Sequence, residues 1–415
     1  MRNLFLLSFK NIFRYTRRTI ITASAIAVGM MMYIILDGLL IGAEIESERN
    51  MIQYETSHAK IMTKQYAENR LFYDLEYGIQ DPDYYIKELH DLGLDATARL
   101  LFTGELLFSS SIFEEDGSME ALITAYDPAL DATVFDVLGT LTEGRLPLEG
   151  REEILLGAWL AEDTYSSVGS FLTILTRGKG GFYEVIDVEV VGIVDPPNPN
   201  VSRSLVMIPL DVAQHYLAME EYATEIDLSI RTKSQQRALN QFQDTLTDSS
   251  LLVIPWNELA KDYVALADAK RGASSLILLL VAIIAAVGIS NTTLMSVQQR
   301  LQEIGMMRAL GTKKGMLIGM FMIEAGLIGA MGSLVGLLLG GGINFYFVHY
   351  GIDFSSMIRS IDIGYRIQST LYSAWHPQSF LIAFLFGTLL CSLVAFVATL
   401  RSLSLSIPHS LRRNI

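Results

Sequence analysis

The sequence predicts an α-helical integral membrane protein with four transmembrane helices and a large α+β extracytoplasmic domain. A bilayer core is crossed by about 20 mostly apolar residues in a helix. Four apolar blocks meet that length, at 19–45, 271–297, 315–347 and 380–401. Between the first two blocks lies a polar stretch, 46–270, which is long enough to bury a core of its own. A β-α-β pattern occurs twice in that stretch and predicts a split ferredoxin-like porter part with a β-rich insertion.

Basic residues flank the apolar blocks and set their orientation. Lys and Arg collect in the first 18 residues, in the short loop 298–314 and in the tail 402–415. Because short cytoplasmic segments are enriched in these residues, all three are predicted to be cytoplasmic. The large domain and the loop 348–379 then lie on the opposite side of the membrane.

Residues 1–18 are predicted to form an amphipathic helix on the inner leaflet, since Lys10, Arg14, Arg17 and Arg18 share one helical face. The single cysteine, Cys391, lies in the fourth block and can form no internal disulfide. The outer domain must therefore be stable through its core. This stretch carries 39 acidic and 16 basic residues, which argues against nucleic acid as a partner.

The secondary structure of the outer domain follows from apolar periodicity. The first β-α-β unit is predicted from strands at 58–62 and 98–108 and a helix that begins at Pro82 and ends at Gly93. The second unit consists of strands at 225–231 and 251–254 and a helix at 234–246. Residues from about 110 to 222 form the insertion, whose strands are predicted at 120–125, 153–156, 170–176 and 182–194, with a hairpin turn at the glycines 178, 180 and 181.

No motif for catalysis stands out. The six histidines are scattered without metal-ligand spacing, and the sequence contains no G-x-x-x-x-G-K-[ST] phosphate loop. We therefore expect no catalytic residue, no metal site and no cofactor in this chain.

The cytoplasmic loop 298–314 is short, amphipathic and able to form a helix. Ile304, Met307 and Leu310 are expected on one side, and Gly311 can end the helix. One interpretation is a plain connector with cytoplasmic positive charges. The other is a helix that docks into a groove of a cytoplasmic partner.

The segment EIGMMRALGTKKGMLIGMFMIEA, at 303–325, resembles the coupling segment and following span of the FtsX-like permease superfamily, the membrane subunits of type VII ABC transporters. The order of one span, a large outer domain and three further spans is similar too. The resemblance implies a cytoplasmic ABC ATPase dimer, which would hold ATP and Mg, and a second permease copy or paralogue. The residues that it implies for ATPase coupling are Glu303, Ile304, Gly305, Met307, Arg308, Ala309, Leu310 and Gly311.

Within that superfamily, SLVMIPLDVAQHYLAM at 204–219 resembles LolE of the lipoprotein-releasing permeases. The resemblance implies a multi-pass protein of the bacterial inner membrane with a periplasmic domain, which releases lipoproteins from the outer leaflet by mechanotransmission. Membrane lipids, lipoproteins and a periplasmic carrier are the further partners. The turn at 177–181 is short and lacks the long hook with which LolC-type permeases grip a carrier, so carrier binding is not assigned to it.

Two alternatives stay open. LTEGRLP and EEILLGAWLA, at 141–147 and 152–161, also resemble MacB-type permeases, which implies export of small molecules or peptides. An FtsX-like regulator of cell-wall hydrolases is the second alternative, and the large outer domain disfavours it.

Two sets of residues in the apolar blocks are candidates for function. If acyl chains pass along the first block, the candidate path has flexible methionines suited to variable apolar ligands, with simple packing as the alternative. Its residues are Val28, Met31, Met32, Ile35, Asp37 and Leu39. Gly332, Gly336 and Gly340 form small-xxx-small steps that let a helix approach closely, either within the chain or from a second copy. Glu324 is expected to make a structural hydrogen bond near the inner interface.

Overall fold

A computed structural model describes residues 16–110, 115–246, 250–353 and 370–402. The chain divides into two compact units. The membrane unit comprises Met1–Glu44, Leu266–Asp353 and Thr370–Ile415, and the outer unit comprises Ile45–Ala265 and Phe354–Ser369. The predicted amphipathic helix and cytoplasmic tail lie largely outside the described residues. The bounds predicted from the sequence for the spans and domains stay predictions.

The helices are listed in chain order: α1 (Thr16–Met51), α2 (Lys64–Glu68), α3 (Pro82–Asp91), α4 (Pro128–Val134), α5 (Ala158–Asp163), α6 (Pro199–Ser204), α7 (Leu210–Leu217), α8 (Lys233–Thr245), α9 (Trp256–Leu259), α10 (Lys261–Gln299), α11 (Leu301–Ala309), α12 (Lys314–Tyr350) and α13 (Pro377–Ser402). A π-helical turn, Ile52–Thr56, extends α1.

The strands are β1 (Ala59–Thr63), β2 (Ile79–Gln80), β3 (Asp95–Ser110), β4 (Glu115–Tyr126), β5 (Leu141–Gly144), β6 (Glu153–Gly157), β7 (Phe171–Arg177), β8 (Tyr183–Val194), β9 (Val206–Pro209), β10 (Tyr222–Ala223), β11 (Glu225–Ser229), β12 (Leu251–Pro255), β13 (Ile352–Asp353) and β14 (Thr370–Leu371).

Three helices of the described residues are long and apolar enough to cross a membrane. They are Thr19–Thr56, Lys314–Tyr350 and Pro377–Arg401. Even the shortest of them, at about 1.5 Å per residue, exceeds the roughly 30 Å of a bilayer core. The remaining predicted span, 271–297, lies inside α10, and its crossing of the membrane stays a prediction.

The outer unit is built on one large sheet in the order β12-β1-β11-β3-β4-β9-β6-β8-β5, with β7 paired to β3 and β8. Its first four strands are antiparallel and have the order of a split ferredoxin-like fold. Helices α3 and α8 pack on one face of these strands through Ile86, Leu89, Leu239 and Phe242. The predicted strands and helices of the two β-α-β units are confirmed. One expectation from the sequence, that Asp81 is the N-cap of α3, is wrong, because Asp81 has a left-handed conformation and its side chain makes no capping hydrogen bond.

The insertion consists of β4 to β10 and lies between β3 and β11 in the chain. Strand β3 joins the two parts, because its first half pairs with β11 and its second half with β7. Strands β7 and β8 form the predicted hairpin, and Gly181, at φ +78°, occupies the turn where a side chain would be strained. A second apolar core, which includes Phe102, Ile123 and Ile174, fills this part.

Candidate functional site

The loop 298–314 contains the predicted helix, α11. Gly311 follows it with φ +94°, and its amide N donates to the Arg308 carbonyl O at 3.1 Å. The amide N of Thr312 donates to the Met307 carbonyl O at 3.0 Å. These bonds satisfy carbonyls at the helix end, so the predicted stop at Gly311 is confirmed.

The apolar residues of α11 face two directions rather than one. Ile304 is buried in a cluster with Val297, Leu317 and Phe321. Leu310, by contrast, is 83% exposed. The expectation that these two residues share a side is therefore wrong, because α11 ends at Ala309 and Leu310 lies in the turn that follows.

The other residues predicted to contact the ATPase also fall into a buried group and an exposed group. Gly305 is buried within the chain, and Met307 and Arg308 are half-buried. Ala309 and Gly311 are exposed, as is Met306, which was not a candidate. The side chain of Glu303 lies outside the described residues. The accessible surface of the loop is therefore centred on its end, around Leu310.

Arg300, just before α11, is buried rather than exposed. Its Nη1 lies 3.2 Å from Oε2 of Glu324 on α12, which is also buried. The structural hydrogen bond predicted for Glu324 is confirmed. Its partner, Arg300, is one of the basic residues from which the topology was predicted. Since breaking a buried pair leaves an uncompensated charge, this contact holds the start of α11 on α12.

The candidate path on α1 has one exposed side. Val28 and Met32 are 54% and 49% exposed, and Met31, Ile35 and Leu39 are half-buried. Their spacing places them on one side of the helix.

Asp37 is separate from that side. It is buried, accepts a hydrogen bond from Ser379 Oγ at the start of α13, and its Oδ2 lies 3.8 Å from His376 Nδ1. The structure therefore places Asp37 in a polar contact between α1 and α13 rather than on the exposed face.

The three glycines of α12 lie against α1 of the same chain. A Cβ at Gly332 would lie 2.7 Å from the Ala23 carbonyl O, and one at Gly336 would lie 2.6 Å from the Ala27 carbonyl O. A Cβ at Gly340 would lie 3.1 Å from Met31 Cα. Of the two partners open from the sequence, the structure places the helix of the same chain on these glycines.

A layer of charged side chains is buried on the sheet face of the outer unit opposite α3 and α8. Arg99 binds Asp131 through two bonds, Nε–Oδ1 at 2.7 Å and Nη2–Oδ2 at 3.0 Å. Lys60 pairs with Glu225 and lies 3.3 Å from Asp227 Oδ1. We call Lys60, Arg99, Asp131, Glu225 and Asp227 the charged layer.

Burial and pairing shift the pKa values in the charged layer. Burial raises the pKa of both Asp131 and Glu225, because it disfavours their ionised forms. Burial alone would lower the pKa of Lys60, but Asp227 and Glu225 outweigh it and raise that pKa. The sequence did not point to these residues, since acidic side chains at alternate positions of β11 are typical of a solvent-exposed strand face.

Both long helices lead along the chain into the ferredoxin-like part. Helix α1 and its π turn are followed by β1, and α10 follows β12 after the short α9. Strands β1 and β12 are paired neighbours in the sheet. Beyond Ile45, the end of α1 and its π turn also bond to the insertion: Asn50 Nδ2 donates to the Pro197 carbonyl O at 3.3 Å, and Asn198 Nδ2 donates to Glu55 Oε2 at 3.1 Å.

Among the described residues, no group of three or more His, Cys, Asp or Glu side chains is placed to hold a metal ion.

Two family models match the chain. Residues 19–248 match the MacB-like periplasmic core domain, and residues 275–407 match the FtsX-like permease C-terminal region. MacB of Neisseria meningitidis serogroup A, a macrolide export ATP-binding/permease protein, is 35% identical over 89 residues, which are 21% of this chain and 14% of that protein. LolC of N. meningitidis serogroup B, from a lipoprotein-releasing system, is 23% identical over 200 residues, covering 46% of this chain and 48% of LolC.

The crystal structure of the periplasmic region of MacB from Actinobacillus actinomycetemcomitans is 14% identical, with a TM-score of 0.36, and covers 52% of this chain and 97% of that one. The chain spans less than half of the length of the full MacB and LolC proteins from Neisseria meningitidis that it matches. The closer likeness to LolE stays a prediction. The MacB-like core model alone covers more than half of the chain. The chain therefore belongs to the ABC transporter permeases of the MacB and LolC type, which combine an FtsX-like permease region with a MacB-like periplasmic core domain that lies outside the cytoplasm.

Proposed function

We propose that this chain is the permease subunit of an ABC transporter that works by mechanotransmission. A cytoplasmic ATPase dimer binds the end of α11, holds ATP and Mg, and moves the membrane helices. The outer unit moves with those helices, and the cargo is released without crossing the bilayer. A second permease copy or paralogue completes the transporter.

The observation that carries this proposal is the division of α11. Its buried side, with Ile304, is held against α12, and the Arg300–Glu324 pair fixes its start. Its end exposes Leu310 and Met306. A short helix anchored to a membrane helix, with apolar side chains left uncovered, suits a groove on a partner.

The connections to the outer unit support transmission of force. Helices α1 and α10 are joined through short segments to the paired strands β1 and β12 of the ferredoxin-like part. The end of α1 also bonds to the insertion through Asn50 and Glu55. A movement of α1 relative to α10 would therefore act on this strand pair, and α1 would act on the insertion as well.

For the cargo, we infer lipoproteins of the outer leaflet. The likeness to LolC and the exposed side of α1 support this inference. The protein part of a lipoprotein is already outside, so its extraction requires an apolar path near that leaflet and a moving outer domain. Val28 and Met32 provide such an apolar surface, while Asp37 does not take part, since it is bonded to Ser379.

Export of small molecules or peptides is the second candidate. The match of 19–248 to the MacB-like core domain and the likeness to MacB favour it. Both candidates use the same ATPase contact and the same movement.

The ATPase contact is tested with one residue and a matched control. Leu310→Asp places a charge on the apolar contact and should reduce copurification of the ATPase about tenfold or more, as loss of a buried apolar contact predicts. Leu310→Met keeps the apolar character and should bind as wild type. These two variants test the contact more directly than a change at Gly305 would, because Gly305 is buried within the chain itself. Equal copurification of both variants would leave only the connector interpretation.

The cargo is tested by depletion and by substitution. Depleting the protein should trap mature lipoproteins in the inner membrane, and Met32→Gln should weaken lipoprotein binding to the purified complex. Leu389→Gln, at an exposed position of α13, is the matched control. Normal lipoprotein sorting together with increased sensitivity to toxic compounds would favour the exporter.

A further inference from the structure

A short stretch of chain before α13 lies across α1, near the end of α1 that leads to the outer unit. Two glycines of α1 make room for it. A Cβ at Gly42 would overlap the Tyr372 carbonyl O, and one at Gly38 would lie 2.6 Å from Ser373 Oγ. The amide N of Ala374 donates to the Gly38 carbonyl O at 2.9 Å. The backbone of this stretch is therefore seated directly on the backbone of α1.

Residues 372–376, which we call the strap, are fixed to α12 as well. Asn344 of α12 is fully buried, donates from Nδ2 to the Ala374 carbonyl O at 3.2 Å and accepts a hydrogen bond from Ser373 Oγ. The amide N of Ser373 donates to the Phe347 carbonyl O at 3.2 Å. The strap thus joins α1 to the end of α12 through neutral hydrogen bonds.

The strap ends at His376, the first of three connected side chains. Ser379, in the first turn of α13, is buried and donates from Oγ to Asp37 Oδ2 of α1. His376 Nδ1 lies 2.7 Å from the same Oγ. Since a hydroxyl has one proton and this one is directed to Asp37, Nδ1 must be the donor in the second bond. Nε2 is then the ring nitrogen that can gain a further proton.

A further proton on His376 would strengthen the contact between the strap and α1. Its Nδ1 lies 3.8 Å from Asp37 Oδ2, so a charged ring and a carboxylate would attract each other across that distance. The side chain of His376 is 39% exposed, so protons reach it from the solvent. That of Asp37 is only 9% exposed, so the pair is screened less than a pair at the surface. Histidine is the side chain that ordinarily changes its charge between pH 5 and 8.

The groups that face this pair from the three helices are neutral at such pH values. The phenol of Tyr33, one turn earlier on α1, lies close to Asp37 and Ser379. Helix α12 contributes the amide of Asn344, and α13 contributes the hydroxyl of Ser379. Phenols, amides and hydroxyls ordinarily carry no charge between pH 5 and 8. The charge of the contact in this range therefore follows His376.

We propose that the strap is a proton-sensitive latch on α1. When His376 is charged, its attraction to Asp37 closes the strap on α1 and α12, and when the ring loses that proton only neutral hydrogen bonds hold it. The closed form binds this proton more tightly than the open form does, so the latch tightens as pH falls and loosens as pH rises. The closed latch restrains the helix that leads to the outer unit, a consequence for transport that rests on the proposed function.

The test measures opening of the latch in the full-length protein in lipid nanodiscs, through the reactivity of a thiol in the strap. Ser373→Cys places the thiol at a position that is 6% exposed, and Cys391→Ala removes the native thiol. The rate of modification by a maleimide reports how often the strap opens. His376→Gln is measured in the same background at every pH, so the titration of the thiol cancels in the ratio of the two rates.

At pH 8 the two proteins should react at similar rates, because glutamine can donate to Ser379 as the neutral ring does. At pH 5.5 the thiol should react about threefold or more slowly in the protein that keeps His376, as expected for an ion pair that is partly exposed. Asp37→Asn keeps an acceptor for Ser379 but no charge, so it should abolish this difference in pH dependence as well.

His349→Gln is the matched control, since His349 is exposed and its Nδ1 lies 2.9 Å from the Phe345 carbonyl O of its own helix. It should leave the pH dependence unchanged. The same ratio of rates at pH 5.5 and 8 would overturn the proposal, as would a pH dependence that survives Asp37→Asn. Neither ATPase nor cargo takes part in the measurement, so its outcome is independent of the proposed function.

Discussion

The two units differ in the contacts that join their elements. In the outer unit, charged side chains form a buried layer on the sheet, as Arg99 and Asp131 do at 2.7 and 3.0 Å. The membrane unit also buries a charged pair, Arg300 with Glu324, but α1 and α12 meet through closely approaching backbones, and a Cβ at Gly336 would lie only 2.6 Å from the Ala27 carbonyl O.

The difference reflects the surroundings of each unit. In water, burial of the apolar cores around α3, α8 and Phe102 is strongly favourable and can offset the desolvation of a paired charge. Between helices in lipid, apolar burial gives no such advantage, and association depends on close packing. The outer unit should therefore be sensitive to removing a charge, and the membrane unit to adding a methyl group.

The largest effect is expected from Asp131→Ala. This change leaves the Arg99 guanidinium buried without its carboxylate and should lower the free energy of unfolding of the outer unit by about 3–5 kcal/mol. Hydrogen exchange of peptides from β3 and β11 in the full-length protein measures the loss. Asp131→Asn keeps an acceptor and should cost less. Unchanged protection in Asp131→Ala would mean that the pair does not hold this sheet face.

In the membrane unit, Gly336→Ala tests whether an added methyl group is destabilising where two helix backbones pack closely. Its new methyl group would meet the Ala27 carbonyl O at 2.6 Å and Met30 Cβ at 2.8 Å, so α1 and α12 must separate. We expect a loss of about 1–3 kcal/mol, read as a lower melting temperature in detergent. Gly342→Ala is the control on the same helix, since a Cβ there meets nothing within 4 Å. Equal melting temperatures would show that the helices are not closely packed at Gly336.

The buried charged layer should also make the stability of the outer unit depend on pH. Because burial raises the pKa of Glu225 in the folded state, the fold holds this proton more tightly than the unfolded chain does. Stability of the outer unit should therefore fall as pH rises from the ordinary glutamate value through the raised one. Thermal unfolding of wild type and Glu225→Gln at a series of pH values measures this slope, which the substitution should reduce. The same slope in both proteins would assign the dependence to other groups.

The smallest effect is expected for an exposed pair. Lys261 Nζ lies 3.1 Å from Glu258 Oε1, and both side chains are largely in solvent. Lys261→Ala should change stability by about 0–1 kcal/mol, with little shift in melting temperature. A loss as large as that of Asp131→Ala would contradict the view that burial decides the strength of these pairs.

Local patterns determined much of the architecture. Apolar length located the three helices of the described residues that can cross a membrane, and alternation of period two located the strands of both β-α-β units. Gly178–Gly181 marked the hairpin, and Gly311 marked the end of α11. Each of these features depends on neighbours within a few residues and could therefore be predicted from local patterns alone. The resemblance of 303–325 to a coupling segment also depends on its own residues, and that role stays a prediction.

The contacts between side chains, by contrast, follow from the fold. Arg300 belongs to a basic loop by sequence, yet in the fold its partner is Glu324, and Asp37 bonds to Ser379, 342 residues away. Glu225 and Asp227 alternate as exposed residues do. In the fold, Lys60 of the neighbouring strand β1, which is distant only in sequence, pairs with Glu225 and lies close to Asp227. Periodicity gives the face on which a residue lies and not what packs on that face. The partners, the burial and the shifted pKa values therefore depend on long-range packing that no local pattern contains.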